Sequence, residues 1–210
     1  MRLVLASTSP RRRELLALLG VSFEVSSPNF EEQPLAGLSP AEQVGRFALE
    51  KARSVALAHP DDLVLGSDTV IDMDGRMLGK PRDLPDARRI LTHLAGRSHL
   101  VLTAVALCCR AKGVESVEVA AASVWMRANI DQTVARYLET GESLGKAGAY
   151  SIQGLGGDLV ERITGDYTTV VGLPLQTVAK LLRSAGYPVR RDVEELYRQR
   201  AYPNWSRFAA

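Results

Sequence analysis

Leu3-Val4-Leu5-Ala6-Ser7-Thr8-Ser9-Pro10-Arg11-Arg12-Arg13-Glu14-Leu15-Leu16 reads as strand, hydroxyl-rich turn and helix N-terminus, in that order. Leu3 to Ala6 is a short apolar run of the kind that forms a buried strand. Ser7, Thr8 and Ser9 bring three hydroxyls into the turn. Ser9 is a favoured N-cap, and Pro10 stands at the first helical position, where its missing N–H costs nothing. Leu15, Leu16 and Leu19 give the helix an apolar stripe, and Gly20 ends it. The three arginines of the first turn run against the helix dipole, which opposes a cation there by a few tenths to about 1 kcal/mol each. Two arrangements account for them. One is a solvated basic face. The other is a phosphate site, in which free N–H groups, hydroxyls and guanidinium forks meet an anion. A Walker P-loop is excluded, since Gly-x-x-x-x-Gly-Lys-Ser/Thr is absent.

Outward from this stretch, Val21 to Ser26 is expected as a second strand and Ser27 to Leu38 as a loop carrying Glu31 and Glu32. Ser39-Pro40-Ala41-Glu42 is a capping-box start for a helix running to about His59, with Lys51 near its middle. Leu63 to Gly66 is an apolar strand that passes through Ser67-Asp68-Thr69 to Met73; Asp74-Gly75 then turns it back on Arg76 to Leu78. Pro85 to Leu94 and Asp131 to Thr140 have helical periodicity, and Ser98–Arg110 and Val114–Arg127 form a long antiparallel hairpin. A glycine-rich stretch from Gly141 to Gly157, a strand over Leu159–Ile163 and an amphipathic helix opened by Leu173-Pro174-Leu175 complete a domain spanning 1–187. Residues 188–210 form a charged, then aromatic tail, read as a docked or frayed terminus. Short crossover strands mixed with long hairpin strands predict an α/β fold with a mixed twisted sheet and flanking helices.

Twenty-six basic against 24 acidic residues leave a net charge of +2, so any polyanion site is local and the chain does not read as a nucleic-acid binder. No apolar run reaches transmembrane length, and the N-terminus enters a core strand directly, without room for a leader. Cys108 and Cys109 are adjacent in a strand and point to opposite faces, which suits a reducing, cytoplasmic setting.

Asp68 ends an apolar strand segment, where a carboxylate is partly desolvated; it either caps nearby backbone or serves a site as base or cation ligand. Glu32 gains weight only beside Asp68, since two carboxylates with water and phosphate oxygens suit Mg²⁺. Lys51 and Lys80, each alone a surface lysine, would join Arg11, Arg12 and Arg13 in a polyanion cradle. Ile152-Gln153-Gly154 could bring an amide to a base edge or form a flexible loop. His59, His93 and His99 lack zinc spacing.

Ser7-Thr8-Ser9-Pro10-Arg11-Arg12, Ser67-Asp68-Thr69-Val70, Gly79-Lys80-Pro81-Arg82-Asp83, Lys146-Ala147-Gly148-Ala149-Tyr150, Ile152-Gln153-Gly154 and Val171-Gly172-Leu173-Pro174-Leu175 occur in order. Together they resemble the Maf family of nucleoside triphosphate pyrophosphatases, from about Leu3 to Gly186. The resemblance implies two lobes around a central cleft, as in the inosine triphosphatase-like folds. It also implies a divalent cation (Mg²⁺, or Mn²⁺ or Co²⁺ in its place), a homodimer, and hydrolysis of a nucleoside triphosphate to monophosphate and pyrophosphate. Under it, Asp68 matches the proton acceptor, Glu32, Lys51 and Lys80 match catalytic-site positions, and Arg12 matches the phosphate-binding arginine. Ser7 and Ser9 line the triphosphate turn, and Glu32 with Asp68 holds the cation. Arg11, Thr69 and Gln153 match the dTTP/UTP branch, where the 7-methyl-GTP branch has Trp, Gln and Glu. Two other readings stay open: a purine triphosphatase of the inosine type, and a nucleotide-binding regulator of cell division or septum formation.

Overall fold

The computed structural model describes residues 1–208; residues 209 and 210, the end of the tail, lie outside it. Strands β1 (Leu3–Ala6), β2 (Glu24–Ser26), β3 (Leu63–Met73), β4 (Arg76–Leu78), β5 (Ser98–Cys109), β6 (Val114–Met126) and β7 (Val160–Thr164) form one mixed sheet in the order β2-β1-β3-β5-β6-β7, with β4 paired to β3. β1 is parallel to β2 and to β3; the remaining pairings are antiparallel. Helices α1 (Pro10–Leu18), α2 (Pro40–Ala56), α3 (Leu84–Leu94), α4 (Asp131–Glu139), α5 (Tyr167–Val171), α6 (Leu175–Ser184), α7 (Val193–Gln199) and α8 (Trp205–Phe208) cover it. No helix among the described residues is long and apolar enough to cross a membrane.

The two faces follow from strand alternation. Along β3, Leu63, Leu65, Ile71 and Met73 point into the larger core, packed by residues of α1, α3, α4, α6, α7 and α8. Val64 and Val70 point the other way, against Val44, Ala48, Ala52 and Val55 of α2. β5 is buried along nearly its whole length because both faces are covered.

Two local devices position the site. The capping box of α2 forms in full: the Glu42 amide donates to the Ser39 hydroxyl, and the Glu42 carboxylate accepts from the Ser39 amide at 2.7 Å. Gly66 lets α2 lie directly on β3, since a Cβ there would stand 2.2 Å from the Ala48 carbonyl oxygen and 2.9 Å from the Ala52 Cβ. That close approach brings the middle of α2 over the middle of β3.

The structure adds elements to the expected set. Tyr-Thr-Thr-Val-Val at 167–171 has strand-like composition but forms α5, capped by Asp166 and ended by Gly172 at φ 119°. The tail carries α7 and α8 and is docked: Trp205 and Phe208 are buried and stack on Tyr167. The second strand is shorter than Val21–Ser26 and covers Glu24–Ser26 at the sheet edge.

Candidate active site

A cavity of about 800 Å³ opens where the β1–α1 turn, β3, α2 and the glycine-rich loops meet. It is lined by Ser7, Ser9, Arg11, Arg12, Glu32, Lys51, Asp68, Thr69, Lys80 and Gln153, so residues scattered over the sequence share one wall. Its size is that of a small-molecule site.

The Asp68 side chain lies on the α2 face of β3, as the alternation from Val64 requires. Lys51, one turn beyond Ala48 on α2, reaches it at 2.5 Å from Nζ to Oδ1, and also reaches Glu32 Oε1 at 2.5 Å. The Lys51 and Asp68 side chains are 8% and 7% exposed, which makes this a buried ion pair. The loop carrying Glu32 thus folds back over α2, and Lys80 closes the cluster at 3.3 Å from Glu32 Oε2. The second Asp68 oxygen, Oδ2, accepts no hydrogen bond among the described residues.

Electrostatics separate the two carboxylates. Burial raises the Asp68 pKa above its ordinary value, and the neighbouring charge of Glu32 adds to this, although Lys51 and Arg12 pull against it. Glu32 is also penalised by burial, but hydrogen bonding and charge from Lys51, with help from Lys80, take its pKa below normal. One acid is therefore the more basic and the other stays ionised, which is the division a base and a charge carrier need.

On the opposite face of β3, Thr69 Oγ1 lies 3.2 Å from Arg12 Nη2 and 3.0 Å from Thr103 Oγ1. Arg12 Nε donates to the Gly172 carbonyl at 2.9 Å, so the end of α5 holds that guanidinium in place. Burial lowers the pKa of Arg12, and Asp68 works in the opposite direction. Arg11 is likewise lowered by burial, and its Nε has no hydrogen-bond partner among the described residues. A cationic side chain in a cavity wall with hydrogen-bonding capacity unspent is suited to an anion.

Three sequence expectations change in detail. Ser9 is the N-cap of α1 but makes no side-chain cap bond; the Ser9 amide instead donates to Ser7 Oγ at 3.2 Å, so the Ser9 side chain leaves the first-turn N–H groups of α1 uncapped. Arg13 is exposed and does not line the cavity, because successive helical residues diverge by about 100° and three in a row cannot share one target. Thr69 directs its hydroxyl to Arg12 and Thr103, so it supports the Arg12 guanidinium from within the cavity wall.

Glu142 was not evident from sequence. It lines the cavity and accepts from the amides of Leu155 and Gly156 at 3.2 and 3.4 Å, beside Gln153. It stands in Gly-Glu-Ser within a glycine-rich run, where an exposed loop carboxylate is the ordinary expectation.

The Maf-like protein family model matches residues 2–185. A protein of Anaeromyxobacter dehalogenans named dTTP/UTP pyrophosphatase is 51% identical over 192 residues, covering 90% of this chain and 96% of its own. Proteins of the same name from Symbiobacterium thermophilum and Vibrio cholerae are 46% and 47% identical, covering 90% and 86% of this chain and 96% of each relative. A solved structure of a Vibrio cholerae protein is 12% identical, covers 90% of this chain and 99% of its own, and has a TM-score of 0.48. With the motif residues gathered in one cavity and the family model spanning nearly the whole domain, the chain belongs to the Maf-like protein family.

Proposed function

We propose that this protein is a nucleoside triphosphate pyrophosphatase that hydrolyses dTTP and UTP to the monophosphate and pyrophosphate. The observation that carries the reading is the buried Asp68, in the wall of the cavity that Arg12, Glu32 and Lys80 share, with one oxygen on Lys51 and the other without a hydrogen-bond partner among the described residues. Relatives named dTTP/UTP pyrophosphatase at about this chain's full length support the substrate class.

The triphosphate lies over the Ser7–Arg12 turn, against the N–H groups of α1. Asp68 Oδ2 takes a proton from a water whose oxygen bonds to the α-phosphorus. The bond from that phosphorus to the bridging oxygen breaks, and pyrophosphate leaves with the electron pair. Arg12, Lys51 and Lys80 offset the charge that develops, so the protein contributes mainly position and charge. Glu32 and Asp68 would hold a divalent cation, Mg²⁺ or in its place Mn²⁺ or Co²⁺. The residues fit this: two carboxylates converge on the cavity, a donor set to which phosphate and water oxygens would be added, as Mg²⁺ prefers. When bound, the cation polarises phosphoryl oxygens and neutralises charge.

Gln153 meets the pyrimidine edge, where its amide supplies both a donor and an acceptor to N3–H and a ring carbonyl. Arg11 and Thr69 complete the selecting set, Thr69 through its hold on Arg12. On the family resemblance the active form is a cytoplasmic homodimer.

Pyrophosphate release from dTTP, UTP, ITP and 7-methyl-GTP, with and without Mg²⁺, tests this reading. The expected result is metal-dependent turnover with kcat/KM for dTTP and UTP at least about tenfold above the purines, the size of one well-placed polar contact. Preference for ITP would move the protein to the purine class. Binding without turnover would make it a nucleotide-binding regulator.

A further inference from the structure

The docked tail has no part in the chemistry above, yet it reaches the cavity wall. Trp205 and Phe208 stack on Tyr167 with ring centroids 5.8 and 6.2 Å away, and Tyr167 Oη donates to the Pro203 carbonyl. This seats Asn204 in the left-handed region, φ 60°, a conformation that asparagine tolerates better than most side chains. From there Asn204 Nδ2 donates to the Ile152 carbonyl at 2.9 Å and to the Gly154 carbonyl at 3.0 Å. These are the carbonyls on either side of Gln153. Gly157 makes room for the bridge, since a Cβ there would stand 2.9 Å from Asn204 Nδ2 and 2.7 Å from the Ile152 oxygen. Glu142 ties the following amides of the loop, so the segment carrying Gln153 is held at both ends. Asn204 lies outside the residues 2–185 that match the family model.

We propose that Asn204 is a positioning residue for nucleobase selection: its amide spans the two carbonyls flanking Gln153 and thereby sets where Gln153 meets the ring. The inference rests on the reading of Gln153 as the group that contacts the base. A loop released from the bridge loses register with the ring edge, whereas Asp68 and Lys51, carried on β3 and α2, keep theirs. Release therefore weakens binding and selection without touching the step at phosphorus.

The test compares dTTP with CTP, whose ring edge reverses the donor and acceptor at N3 and C4, in the full-length protein. Asn204→Gly keeps the left-handed backbone and removes the amide. Asn204→Asp keeps the size of the side chain and replaces the donating amide nitrogen with an acceptor that the two carbonyls repel, and the Tm of each variant reports whether the fold is kept. Each is expected to raise KM for dTTP about tenfold and to lower the dTTP-over-CTP ratio of kcat/KM by a similar factor, with kcat within about twofold of wild type. A lower Tm or kcat with unchanged KM and unchanged ratio would mean that Asn204 merely stabilises the tail, and would overturn the proposal. Gln153→Ala, measured alongside, separates the two ideas. If it alone changes the ratio, Gln153 reads the ring and the Asn204 proposal falls. If the Asn204 variants change the ratio and Gln153→Ala does not, the loop selects the base through another group and the role given to Gln153 falls. If none of them changes the ratio, both fall.

Discussion

Asp68→Asn is expected to lower kcat for dTTP by about 10²- to 10⁴-fold, the range general-base catalysis supplies, while leaving the protein at least as stable as wild type at neutral pH. The two halves have the same origin. Asp68 is buried on β3, and burial outweighs the attraction of Lys51, so its pKa is raised on folding. A group whose pKa is raised in the folded state stabilises fully below its unfolded value, near 3.9 for Asp, and loses that contribution as pH rises through its folded value. At neutral pH the ionised carboxylate is therefore a cost to the fold that the neutral amide lacks, and Lys51 is not left uncompensated in the variant because it keeps Glu32 as its partner. The variant's advantage in Tm should shrink as pH falls toward the unfolded carboxylate range. The wild-type kcat/KM profile should show an acid limb above the ordinary Asp range, and that limb should vanish in Asp68→Asn. Near-normal kcat would remove Asp68 as the base. A lower Tm at neutral pH would mean that the Lys51 pair outweighs desolvation.

Lys51→Met is expected to damage both stability and activity. Its ammonium contacts Glu32 and Asp68 at 2.5 Å each, with Lys51 and Asp68 almost wholly buried. Removing one partner of a buried pair typically costs about 3–5 kcal/mol, because the remaining charge is left uncompensated. Here the cost should depend on pH. Without Lys51, Asp68 and Glu32 repel, and Asp68 escapes by holding a proton until the pH rises past its further-raised pKa. Urea unfolding should show a deficit that is larger at pH 8 than at pH 5. Activity should fall by about 10²- to 10³-fold, as on losing one aligned charge at a reacting centre. An equal deficit at both pH values would indicate that lost packing on α2, and not charge, explains the effect.

Much of this site was legible before its geometry. The β1–α1 turn, the capping box at Ser39 and Glu42, and the Asp74-Gly75 turn are local signals, each with a local cause, and the chain folds as they direct. Asp68 stood out because a carboxylate within an apolar strand needs a reason. Its pairing with Lys51 was not legible, because it depends on Gly66 admitting α2 to the face of β3, a packing contact between elements that no local pattern reports. The fold-back of Glu32 rests on partners outside the loop, Lys51 and Lys80 on Glu32 itself and Phe47 of α2 against Phe30, which no local pattern reports. α5 was hidden by its β-branched composition, which the Asp166 cap and Gly172 override. Arg11, Arg12 and Arg13 looked equivalent, and only the helical rotation distinguishes the two that face the cavity from the one that faces solvent. The aromatic residues of the tail signalled docking, but where they dock is fixed by Tyr167, and so was the reach of Asn204.

In the proposed mechanism, water bearing on the α-phosphorus, with Asp68 as its base, separates the nucleotide from pyrophosphate. Single-turnover hydrolysis of dTTP in water labelled with heavy oxygen, followed by mass analysis of both products, measures this directly. The label should appear once, in the nucleoside monophosphate, with none in the pyrophosphate. Label in the pyrophosphate, or release of labelled orthophosphate, would place the attack at the β- or γ-phosphorus and contradict the account.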